Sequence, residues 1–93
     1  MFECHITFRG DQSDDVQLIA ESMGWLDDGW KFSAMEGDPE LGSVKFCYLT
    51  LHDVDYDAIR TDMHEIIYQF RIEAETYPLR AKIEKIVYDE RFS

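Results

Sequence analysis

Three histidines, two cysteines and one run of spaced aspartates are the residues of this chain whose types could do chemistry. His5-Ile6-Thr7-Phe8 has the H-x-T-hydrophobic pattern. In two facing copies, that pattern lets paired histidines act as general acid and base on a phosphodiester. Only one copy is present, because His52 sits in Leu51-His52-Asp53-Val54-Asp55, without a hydroxyl two positions on. The chemistry would therefore need two chains, each supplying His5. Asp53-x-Asp55-x-Asp57 resembles the start of a calcium loop, but Ala58 stands where such a loop needs Gly and His64 where it needs Glu. Asp55 or Asp57 is expected to cap a helix instead. Cys4 and Cys47 form neither a CxxC pair nor a Cys/His zinc spacing, and both lie in alternating apolar runs, which predicts buried free thiols. There is no glycine-rich phosphate loop and no Ser/His/Asp arrangement. The reading at this level is of no catalytic residue, no metal site and no cofactor.

The elements that must position these residues follow from periodicity. Residues 2–9 alternate strictly, with Phe2, Cys4, Ile6 and Phe8 on one side and Glu3, His5, Thr7 and Arg9 on the other, which predicts a strand. Ser13 is expected to cap a helix in which Val16, Ile19, Ala20 and Met23 recur at helical spacing before Gly24. A turn at 25–29 leads to a strand at 30–36, a hairpin connection at 37–42 and a third strand at 43–52. A second helix carries Ile59, Met63, Ile66, Ile67, Phe70 and Ala74 and is expected to end by Tyr77-Pro78. Residues 79–92 predict a last strand, with a phase change near Lys85. The order β-α-β-β-α-β predicts an α+β, ferredoxin-like βαββαβ two-layer sandwich over residues 1–93, a single domain. Its antiparallel sheet has two helices on one face and leaves the other open.

With the helices on the Phe2 side, the open face would carry His5, Thr7, Phe46, Tyr48, Thr50, Arg80, Lys82 and Glu84, while Leu79, Ala81 and Ile83 are buried. The bland reading is a solvated sheet with weak cross-strand ion pairs. A face with two rings among charges favours contact with a partner. Phe46 and Tyr48 also stand where the third strand of an RNA-recognition motif puts its stacking aromatics, although Lys45 and Cys47 replace the expected glycines and His5 the first-strand aromatic.

Charge bears on which partner fits. Twenty acids against nine Lys/Arg give a net charge of −11 over 93 residues. Thirteen acids and three bases lie in residues 1–57, seven and six in residues 58–93. Such a field repels duplex nucleic acid, which binds through clustered Lys/Arg. A hydrophobic share of 45% is too high for a disordered acidic tail. No apolar run approaches the roughly 20 residues of a membrane span, and the start of the chain lacks the pattern of a signal peptide. A cytoplasmic location is expected.

The segments Gly37-Asp38-Pro39…Leu41-Gly42, Tyr48-Leu49-Thr50…His52-Asp53…Asp55-Tyr56 and Arg80…Lys82-Ile83-Glu84…Ile86…Tyr88-Asp89 resemble a group of small ferredoxin-like proteins of tailed phages and some bacteria. The resemblance spans about half the chain. It implies a phage-associated origin, carries no activity to transfer, and gives weight to Arg80, Lys82, Glu84, Tyr48 and His52. The expected function is a small, acidic, non-enzymatic binding module. It would engage a protein partner or a second copy as a homodimer through His5, Phe46, Tyr48, Arg80, Lys82 and Glu84. Two alternatives stand beside it: an acidic nucleic-acid mimic that inhibits a host defence or regulatory protein, and a minimal HxT-type phosphodiesterase acting as a dimer.

Overall fold

The computed structural model describes residues 1–35 and 46–86. Strand β1 spans Phe2–Arg9, helix α1 Ser13–Ser22, strand β2 Lys31–Met35, strand β3 Phe46–Asp53, helix α2 Tyr56–Ala74 and strand β4 Arg80–Lys85. The sheet order is β2-β3-β1-β4, and every neighbouring pair is antiparallel. The described residues thus form an α+β fold with a four-stranded antiparallel sheet and two helices, and β1 and β3 are its central strands.

Alternation decides which face the helices cover. Cys4, Ile6 and Phe8 of β1 and Cys47, Leu49 and Leu51 of β3 are buried against Val16 and Ala20 of α1 and Ile59, Ile66 and Phe70 of α2. The Phe70 ring lies 4.8 Å from Phe8 and 5.5 Å from Trp25, centre to centre, so α2 is anchored at once to the sheet and to the turn after α1. Such clustered rings bury the largest apolar areas a core of this size contains. Trp25 and Trp30 flank the acidic turn and are both buried, closing the end of the core.

Local sequence explains the element ends. Gly24 follows α1 at φ 78°, a conformation that needs no Cβ, and its N–H bonds the Glu21 carbonyl at 3.1 Å. Asp55 caps α2, as expected, accepting from the N–H groups of Asp57 at 3.0 Å and Ala58 at 3.3 Å. Asp53 in turn accepts from the Asp55 N–H at 3.0 Å, so two of the three spaced aspartates are committed to the turn and the cap.

Several expectations are corrected. Ser13 is the first residue of α1 and not its cap, because a 3₁₀ turn over Gly10–Gln12 carries the chain into the helix. Met23 lies beyond α1 and is exposed. Trp30 precedes β2, which begins at Lys31, and its ring is buried on the same side as Phe32 two residues on. Helix α2 stops at Ala74, three residues before Tyr77-Pro78. Glu75 turns left-handed at φ 49°, and the Thr76 N–H closes on the Phe70 carbonyl at 3.1 Å. Leu79 is exposed, not buried, because the β4 ladder begins only at Arg80. Ala81 and Ile83 do pack against the core. The hairpin at 37–42, the first residues of the third strand at 43–45 and residues 87–92 of the last lie outside the described residues.

Candidate functional site

Register places the open-face residues in rows across the sheet. One row runs Ser33, Tyr48, Thr7, Arg80; the next Lys31, Thr50, His5, Lys82. A third runs His52, Glu3, Glu84, and at the opposite end Met35, Phe46 and Arg9 share a row. Strands lie about 4.8 Å apart, so Tyr48 and Arg80 face one another across roughly 10 Å of sheet with the short Thr7 between them. Long side chains around short ones leave a depression of about 460 Å³. Its walls are Met35, Phe46 and Tyr48 on one side and His5, Arg80 and Lys82 on the other, with Thr7 and Thr50 between. Five of the six expected contact residues therefore line one concavity. Glu84 lies one row away, tied to Lys82 by an ion pair of 2.5 Å.

Glu3 organises the adjoining row. His5 Nε2 contacts its Oε1, and His52 Nε2 lies 2.6 Å from its Oε2. A carboxylate only accepts, so both Nε2 atoms carry protons, and in the neutral ring His5 Nδ1 accepts from the Thr50 hydroxyl at 3.1 Å. Burial works against the charged form of Glu3, but hydrogen bonds from His52 and His5 and the charge of both rings outweigh it. Its carboxyl is held below the usual carboxylate range. Glu84 is likewise lowered, first by its hydrogen bond from Lys82. His5 is thus a fixed wall of the depression with both nitrogens engaged. Glu3, His52 and Met35 were not among the expected contact residues. Alternation already put Glu3 beside His5, whereas the role of His52 appears only when β3 is set in register against β1.

Burial pushes the Cys4 thiol up to about 12 and the Cys47 thiol up to about 11, the latter helped by the charge of Asp11. Cys47 lies opposite Phe8, four positions along β1 from Cys4. At about 3.4 Å per residue that is too far for a disulfide, and both are free. Among the described residues no group of three His, Cys, Asp or Glu is arranged to hold a metal ion, and no helix is long and apolar enough to cross a membrane.

A second concavity, about 270 Å³, lies on the helix side between the two tryptophans and Asp28, Asp62 and Glu65. Burial, followed by the charges of Glu65, Asp53 and Asp28, raises the carboxyl of Asp62. The acidic turn at 27–28 and the acidic start of α2 therefore gather around one end of the molecule. Comparison of the sequence with protein-family models and with curated proteins finds no match.

Proposed function

We propose that this chain is a small, non-enzymatic binding module of ferredoxin-like architecture whose working surface is the open sheet face. The architecture is supported by the order β2-β3-β1-β4 with a helix after β1 and another after β3. The function rests on one observation: the helix-free face is not a flat solvated sheet but a depression walled by Phe46 and Tyr48 and flanked by His5, Arg80 and Lys82. A protein partner or a second copy would bury the rings, and the charged groups, with Glu84, would set its orientation. The resemblance to small phage proteins supports a phage-associated setting in the cytoplasm.

The test is paired substitution. Phe46→Ala with Tyr48→Ala removes the anchors from half-buried positions, so the fold survives while association, read by light scattering or by capture of a partner from host extract, is lost. Association unchanged in the double variant would sink the reading.

A second reading, imitation of nucleic-acid charge, is favoured by the gathering of Asp28, Asp53, Asp62 and Glu65. It predicts binding that survives loss of Phe46 and Tyr48 and collapses with salt. The phosphodiesterase alternative would have to release His5 from Glu3 and Thr50 and bring in a second His5 from another chain.

A further inference from the structure

We propose that the depression on the open face binds a free mononucleotide, its phosphate held on the β1–β4 side and its base laid against the β3 rings. This rests on the open face being the working surface, and it names a small ligand for the same Phe46 and Tyr48 rings that a partner would otherwise bury.

Four observations converge. The first is size: about 460 Å³ falls within the range of about 300–1,000 Å³ typical of small-molecule sites. The second is polarity split by side. Phe46, Tyr48 and Met35 offer an apolar wall on which a planar ring can stack, while Arg80 and Lys82 stand across the floor from it. The third is charge. In a chain of net charge −11, no carboxylate lines this depression among the described residues; of the two in the adjoining row, Glu3 is occupied by two imidazoles and Glu84 is paired with Lys82. Lys82 is thus shared with Glu84, while Arg80 lines the depression, where an anion from outside the chain would meet it. The fourth is donor geometry. Arg80, Lys82 and the Thr7 hydroxyl belong to two strands and two rows, so they converge from different directions. A tetrahedral phosphate accepts from several directions at once; a planar carboxylate is better met by one fork. A spacing of about 10 Å along the row from Tyr48 to Arg80 matches a ligand with a ring at one end and a phosphate at the other.

Charge also selects the source. A single strand of nucleic acid would carry further phosphates over the acidic remainder of the molecule, where the field repels them. A free mononucleotide brings only the phosphate the depression can hold.

The probes are AMP and GMP, titrated into the full chain while backbone amide resonances are followed, with inorganic phosphate, adenosine and an eight-nucleotide oligouridine as comparisons. The expected result is a saturable shift with AMP or GMP confined to β1, β3 and β4 around Thr7, Tyr48 and Lys82, stronger than with either half-molecule. Arg80→Ala and Tyr48→Ala, both outside the buried core, should each weaken it about tenfold or more with the α1 and α2 resonances unmoved. No saturable shift with either nucleotide at millimolar concentration, shifts mapped elsewhere, or an affinity indifferent to Arg80→Ala would overturn the inference. So would tighter binding of the oligouridine, which would assign the face to a strand. Loss of the nucleotide result leaves the binding-module reading standing, because that reading is judged by association in the Phe46/Tyr48 double variant.

Discussion

Glu3 shows how one side chain can hold a surface in place. It sits between His5 and His52 on neighbouring strands, and opposite Glu84 on the third. Without the imidazoles, two carboxylates directly across a strand pair would repel. Glu3→Gln keeps the shape but leaves a single oxygen to accept, so one histidine loses its bond, at a cost of about 1 kcal/mol at neutral pH. The sign of the pH dependence follows from the lowered carboxyl. The contribution of Glu3 is fully present above its ordinary value of 4.5 and is lost as pH falls through its lower folded value. Urea denaturation of wild type and Glu3→Gln should therefore separate at pH 7 and converge in strongly acidic buffer. A constant gap down to that range would mean that the carboxylate charge is not what the histidines hold.

At the scale of elements, α2 depends on its two ends. Asp55 satisfies two backbone donors at the start, and Glu75 takes up a left-handed conformation at the finish. Asp55→Ala should cost about 1 kcal/mol. Glu75→Gly should add about 0.5–1 kcal/mol, because glycine adopts positive φ without the Cβ penalty. Opposite shifts of the two denaturation midpoints with unchanged slopes would bear this out; a loss of stability in Glu75→Gly would refute it. These ends also mark what the sequence made legible. The spaced aspartates and Gly24 announce their turns by residue type, and the alternation of β1 tells its buried face from its open one. The open-face residues from His5 to Lys82 are reachable from that alternation alone. The end of α2 is not, since Glu75 carries no preference for its conformation and the visible stop, Pro78, lies further on. Leu79 departs from the alternation because it lies before β4, which begins at Arg80. The part His52 plays needs the β1–β3 register, which no local pattern supplies.

At the scale of the whole molecule, charge is distributed in two ways at once: a cationic and aromatic patch on the open face, and an acidic end where Asp28, Asp53, Asp62 and Glu65 crowd together. The acidic end works against the fold. Burial and its neighbours raise the Asp62 carboxyl, so the folded chain holds that proton to higher pH than the unfolded chain does. The penalty is absent below the ordinary value of 3.8, grows as pH rises through the raised value, and is complete at neutral pH. Asp62→Asn should accordingly raise the melting temperature at pH 7 and leave it unchanged in strong acid, the reverse of the Glu3 variant. Salt should act in the same direction. Charges that repel across a screening length of about 30 Å at 0.01 M are largely hidden from one another at about 10 Å in 0.1 M. The wild-type melting temperature should then climb over that interval, and the advantage of Asp62→Asn should shrink as it does. A wild type indifferent to salt, with Asp62→Asn no more stable at the low end, would mean that compensation elsewhere cancels the acidic end and that its crowding has no energetic consequence.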